Sequence, residues 1–75
     1  MRLVQIDDTF ITLGQLLKKT GIIDTGGQAK HFLAETEVRV NGVPESRRGR
    51  KLVPGDVVEI DGCFTARLVQ KQRKS

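Results

Sequence analysis

The apolar positions of this chain keep a helical period in the first half and a strand period in the second. Residues 3–6, LVQI, form a short strand candidate before the first helical pattern begins. The stretch TLGQLLKKTG then sets Leu13, Leu16, Leu17 and Thr20 on one helical face and leaves Gln15, Lys18 and Lys19 outside it. Thr12 stands where a cap is needed. Gln15 follows three residues later to complete a capping box, and Ile11 and Leu16 are placed as a hydrophobic staple. Gly21 supplies the stop, because glycine readily adopts the left-handed conformation that ends helices. The same signal returns in TGGQAKHFLAE. Thr25 is the cap and Gln28 its partner, while Ala29, Phe32 and Leu33 make the buried stripe and Lys30, His31 and Glu35 turn away from it. The connecting GIID is short, which predicts helices packed as a hairpin or at a steep angle.

From Val38 the period is two. VRVNGV points Val38 and Val40 inward and Arg39 outward, and Asn41-Gly42 supplies a tight turn. Pro44 opens the polar segment ESRRGRKL. In LVPGDVVEIDG, Pro54-Gly55 fits a turn before a strand at Val57 to Ile60. Asp61-Gly62 reads as another turn, leading to a last strand within CFTARLV. With no internal repeat and no linker, the 75 residues are expected to form a single α+β domain. Its expected architecture is a two-helix hairpin packed on one face of a small, mainly antiparallel sheet of short strands.

Charge changes the picture through its distribution. Thirteen Lys and Arg against nine Asp and Glu give only +4. Arg39 through Lys51, however, holds five basic residues and a single acid, Glu45, and Lys71, Arg73 and Lys74 follow in a basic tail at 70–75. Asp7, Asp8 and Asp24 fall in the first third. Such an asymmetry fits a nucleic-acid-binding surface. Cys63 is the lone cysteine, as suits a reducing cytoplasm. No apolar run approaches the ~20 residues of a membrane span, and MRLVQIDDTF lacks the apolar stretch of a signal peptide. The expected location is the cytoplasm, with no membrane partner.

The order of elements, together with V-x-V-N-G at Val38 to Gly42 and V-P-G-D-x-V at Val53 to Val58, resembles the alpha-L RNA-binding motif, the S4-type domain named after a ribosomal protein. Leu13 to Lys19 match its leucine-rich first helix, and Thr25 with Ala29-Lys30 its second. The resemblance covers about residues 11 to 60 and is specific through its four pieces in register. It implies structured RNA, ribosomal or transfer, as the ligand, gripped by the second helix and the segment after it. By position it marks Lys30, Asn41 and Gly42. Many members carry Arg one residue after the cap, where this chain has Gly26. GGQAK with ESRRGRKL resembles a branch of very short, free-standing bacterial members, in which a role in ribosome assembly or beside an RNA-modifying or ribosomal protein is implied.

The residues themselves suggest a mechanism. Unpaired N–H groups at a helix start attract phosphate, Gly26 and Gly27 allow it close approach, and Lys30 lies one turn on. Arg47, Arg48, Arg50 and Lys51 alternate around Gly49 as a flexible arc of cations, and Arg can bridge phosphate oxygens bidentately. The expected RNA-binding set is Gly26, Gly27, Gln28, Lys30, Arg39, Asn41, Arg47, Arg48, Arg50 and Lys51. His31 has no Cys or His partner for a metal, and Cys63 no activating neighbour. Asp7 and Asp8, adjacent on an extended segment, point apart. No cofactor is implied, and no nucleophile-base pair marks an enzyme. Phe10, Phe32 and Phe64 are the only aromatics, so recognition through shape and phosphates is expected over base stacking. Competing classes are a helix-turn-helix DNA binder, a protein-interaction subunit and a ubiquitin-like sulfur carrier. The last needs a C-terminal Gly-Gly, whereas this chain ends KQRKS.

Overall fold

The computed structural model describes residues 1–71, so Arg73 and Lys74 of the basic tail lie outside the described residues. The chain runs β1 (Arg2–Ile6), β2 (Ile11–Thr12), α1 (Leu13–Lys19), α2 (Gly26–Glu35), β3 (Val38–Val40), β4 (Val43–Pro44), β5 (Lys51–Leu52), β6 (Val57–Ile60) and β7 (Phe64–Gln70). The α+β class expected from the periodicity is the one formed.

The start of α1 uses the predicted capping box in full, and that of α2 uses its glutamine half, the Gln28 N–H going to the Thr25 backbone carbonyl. At α1 the Thr12 N–H donates to Gln15 Oε1 at 2.9 Å and the Gln15 N–H donates to Thr12 Oγ1 at 3.2 Å. Removing such a cap costs about 1 kcal/mol. The end of α1 is a Schellman turn: Gly21 takes φ +82°, the Ile22 N–H reaches Leu17 O at 3.0 Å, and the Gly21 N–H reaches Lys18 O at 3.1 Å. At α2 the weight falls on glutamine. Gln28 Oε1 accepts from the Asp24 N–H at 2.6 Å and from the Thr25 N–H at 3.1 Å.

Five strands form one sheet in the order β1-β7-β6-β3-β4. Its β7–β6, β6–β3 and β3–β4 pairs are antiparallel, while β1 and β7 run parallel from Arg2↔Ala66 to Ile6↔Gln70. The two ends of the described chain therefore meet in the sheet, a pairing that local periodicity does not reveal. Period-two alternation turns Val4, Ile6, Val38, Val40, Val58, Ile60, Ala66 and Leu68 to one side, where they join Leu13, Leu16, Leu17, Ala29 and Leu33 of the helices in a single core. The β3–β4 hairpin closes on Asn41 and Gly42 with φ of 53° and 82°, the pair of positive values that a type I′ turn needs.

One element departs from the expected architecture. ESRRGRKL does not pass as a loop straight into the segment before β6. Its end pairs as β5 with β2, antiparallel, through Ile11↔Leu52 and Thr12↔Lys51. Two residues are too short for a period to show. Leu52 is nonetheless fully buried beside Ile11 in the core. Truncation in so small a core leaves a void that the surroundings fill only partly, so Leu52→Ala should cost about 2–5 kcal/mol. At about 4–8 °C per kcal/mol for a domain of this size, thermal unfolding by circular dichroism should show a midpoint at least ~8 °C lower. An unchanged midpoint would mean that the loop is not anchored there.

Candidate nucleic-acid interface

The loop between β4 and β5 has a fixed course, in place of the flexible arc expected from its composition. The first N–H groups of a helix find no acceptor within it. Here the Leu13 N–H donates to Arg50 O and the Gly14 N–H to Arg48 O, both at 2.9 Å. The loop backbone thus lies directly on the start of α1. Gly14 permits this: a Cβ there would stand 3.3 Å from Arg48 O and 3.4 Å from Arg48 Cβ.

Glu45 organises the side chains. Its Oε2 accepts from the Ser46 N–H at 3.1 Å and from both the N–H and Nε of Arg47 at 3.2 Å. Its Oε1 accepts from Arg47 Nη2 at 3.1 Å and Arg50 Nη1 at 3.3 Å. The hydrogen bonds from Arg47 are the first cause that holds the Glu45 carboxyl down at about 2, against an ordinary 4.5, with Arg50 adding to them. The side chain of Glu45 is only 10% exposed, whereas those of Arg47 and Arg50 are 74% and 39% exposed. The carboxylate sits behind and the guanidiniums stand in front.

Arg48 points the other way. Its Nη1 donates to Gly26 O, the first residue of α2, at 3.5 Å. This contact closes one side of a groove of about 370 Å³, lined by Thr12, Gly14, Gln15 and Lys18 of the α1 region, by Gly26, and by Arg48 and Gly49. Nothing in the fold fills the space that a Cβ would take at Gly26, and at Gly27 only the Thr25 hydroxyl comes near, at 3.9 Å. Glycine within a helix costs up to roughly 1 kcal/mol relative to alanine. Packing does not call for it at either position. Lys30 is exposed one turn along from Gly26.

Of the ten residues singled out in the sequence, Gly26 and Arg48 line this groove, Gly27 and Lys30 follow Gly26 along α2, and Arg47, Arg50 and Lys51 lie on the adjoining segment. Lys51 Nζ stands over the Phe10 ring at 4.9 Å. Gln28 spends its Oε1 on the helix cap. Asn41 is occupied by the fold, its Nδ2 donating to Asp56 Oδ1 at 3.1 Å and its Oδ1 accepting from the Val57 N–H at 2.9 Å. Arg39 alternates with the core positions Val38 and Val40 and so lies on the opposite face of the sheet, paired with Glu37 at 2.7 Å. Sequence reading left out Gly14, Gln15, Lys18 and Glu45. Gln15 and Lys18 carried the available signal, sharing one outward face at a spacing of three, but a solvated helix face looks the same.

The family model of the S4 domain matches residues 4–66. A Bacillus subtilis (strain 168) protein, "Probable ribosome maturation protein RlbA", is 59% identical over 66 residues, which cover 88% of this chain and 93% of that protein. An Escherichia coli (strain K12) protein, "Putative RNA-binding protein YbcJ", is 40% identical over 52 residues, or 69% of this chain and 74% of that protein.

The Glu45 cluster predicts a pH dependence of stability. A carboxyl whose folded value is depressed stabilises the fold above its unfolded value, and that gain is lost as pH falls through the folded one. Parent and Glu45→Gln should therefore differ in unfolding midpoint by a constant amount from neutrality down to the ordinary value of 4.5, and converge towards about 2. Thermal scans across that range check this. A gap that persists undiminished at the acid end would trace it to something other than the carboxylate charge.

Proposed function

From the chain's membership of the S4 domain family, we propose that it is a non-catalytic RNA-binding module acting on structured ribosomal RNA during ribosome assembly. The observation that carries this reading is the meeting of three cationic or N–H-bearing elements in one place. The outward face of α1, the glycine start of α2 and the basic loop converge on the groove between Lys18, Gly26 and Arg48. Phosphates of a folded RNA fit such a surface, because a bent backbone presents several anions at once and Arg binds them with directional pairs of N–H groups. The similarity to a protein named for ribosome maturation favours ribosomal over transfer RNA. Ribosome assembly would place the protein in the cytoplasm and beside ribosomal or RNA-modifying proteins. Among the described residues no helix is long and apolar enough to cross a membrane.

A DNA-reading helix finds less support. With Gln28 held by its Oε1 at the cap, the exposed side of α2 offers only the Gln28 amide N–H groups, Lys30 and His31 as donors, and Glu35 near its end repels phosphate.

Crosslinking the protein to RNA in cells, followed by sequencing, tests the ligand: ribosomal RNA should be enriched, and thin recovery over all transcripts would remove the ribosomal assignment. In vitro, about five phosphate contacts should give a slope of log K against log salt near −3.5, at roughly 0.7 per contact for single strands and more for duplex. Replacing Lys18, Lys30 and Arg48 together by alanine should make that slope shallower by about 2. A flat salt response in the parent would exclude phosphate binding as the mechanism.

Gly27→Glu separates folding from binding at the start of α2. An acid in a first helical turn is favoured by the dipole, so stability should rise by about 0.3–1 kcal/mol. RNA affinity should fall, because the same carboxylate stands where a phosphate would approach. Binding equal to the parent's would place the phosphates elsewhere.

A further inference from the structure

We propose that Glu45 is a positioning residue of the RNA interface, holding Arg47 and Arg50 as one pre-set pair of phosphate ligands. The inference rests on the RNA-binding reading of the groove and loop and adds a role for the one acid within the basic run. An acid among cations is ordinarily read as a neutraliser, which would oppose RNA. The geometry points to the reverse. Each guanidinium is fixed through two of its nitrogens. Arg47 gives Nε and Nη2 to Glu45, and Arg50 gives Nη1 to Glu45 and Nε to the Lys51 carbonyl at 3.3 Å. That leaves Nη1 of Arg47 and Nη2 of Arg50 without an acceptor among the described residues. Because the carboxylate is 10% exposed and Arg47 74%, an arriving phosphate meets donors first and the acid hardly at all.

The backbone agrees with this assignment. The Glu45 N–H donates to Val38 O at 2.8 Å, which ties the residue to β3. Its side chain then accepts from the Ser46 and Arg47 N–H groups, so one carboxylate sets both the turn of the loop and the direction of two side chains. Two guanidiniums against one carboxylate leave a net positive charge at the front. Their rotamer freedom is given up on folding and need not be lost again on binding, which is how pre-organisation raises affinity. With a carboxyl value near 2, Glu45 remains an anion throughout the physiological range and is a fixed strut.

The test uses a sign reversal. Deproteinised ribosomal RNA is titrated with the parent, Glu45→Gln and Glu45→Asp between roughly 50 and 200 mM salt, with folding checked by circular dichroism. Glu45→Gln adds one unit of positive charge to the surface, so simple electrostatics requires tighter binding and a steeper salt slope. The positioning role requires weaker binding, on the order of ten-fold, with a slope shallower by about 0.7–1.4 as one or two arginine contacts are lost. Glu45→Asp, which keeps the charge with a shorter reach, should fall between the two. A partly unfolded variant would lower affinity equally at every salt concentration and leave the slope unchanged, so weaker binding with an unaltered slope overturns the proposal. Tighter or equal binding by Glu45→Gln overturns it as well. Failure of the parent itself to bind would remove the RNA-binding reading first, and this inference with it.

Discussion

Two backbone hydrogen bonds, from Leu13 N–H to Arg50 O and from Gly14 N–H to Arg48 O, fix the relation between the first helix and the basic loop. Each partner solves a problem for the other. The helix start has N–H groups that its own turns cannot satisfy, and the loop has carbonyls with no ladder to join. Once joined, the carbonyls face inward and the arginine side chains have only the solvent side open to them. The missing Cβ of Gly14 allows the approach, and the burial of Leu52 at the end of the loop makes it cohesive. A run of like charges, which would gain nothing by crowding, is thereby held against a core.

This docking also decides which helix start is open. At α1 two N–H groups are spent on the loop, so its positive end is already capped by carbonyls. At α2 the loop contributes a guanidinium, and Arg48 donates to the first carbonyl while the glycine surface beside it stays uncovered. The two starts, built from nearly the same T-x-x-Q signal, are used differently by the fold. One is a structural joint and the other stays accessible.

Much of this was legible in the sequence because it is local. Capping boxes, the Gly21 stop, the Asn41-Gly42 turn and the alternation of β3 and β6 each depend on residues within a few positions of one another. The parallel β1–β7 pair and the β2–β5 pair depend on residues far apart, and neither leaves a period to read. The same divide runs through the site. Lys30 and the glycines of α2 could be marked from position, and the arginines from composition. Their order could not, since it is set by a carboxylate whose exposure only the fold determines, and by the close approach of the loop backbone to Gly14 in α1. Asn41 was marked through the family motif, yet its amide is spent on Asp56 and Val57, a reminder that a motif residue can be kept for the turn it makes.

The distribution of acids explains how a protein of net charge +4 presents a concentrated field. Glu37 is paired with Arg39 on the far face of the sheet, Asp56 is held by Asn41 and the Val53 N–H, and Asp7 meets Lys71 beyond β1. Glu45 alone lies at the loop, and it is nearly covered by its arginines. Among the described residues Lys18, Lys30 and Arg48 have no carboxylate within salt-bridge distance. Screening over about 8–10 Å at physiological salt makes the whole-protein charge a poor guide to what a phosphate feels. What counts is the set of charges within that radius, where Asp24 stands two residues before Gly26 and Asp7 and Asp8 line a neighbouring hollow with Lys18, so the cations around the groove are unpaired but have acids nearby. A modest overall charge therefore limits non-specific attraction at long range, so the arrangement of the charges nearest a phosphate matters more to binding than their sum over the chain.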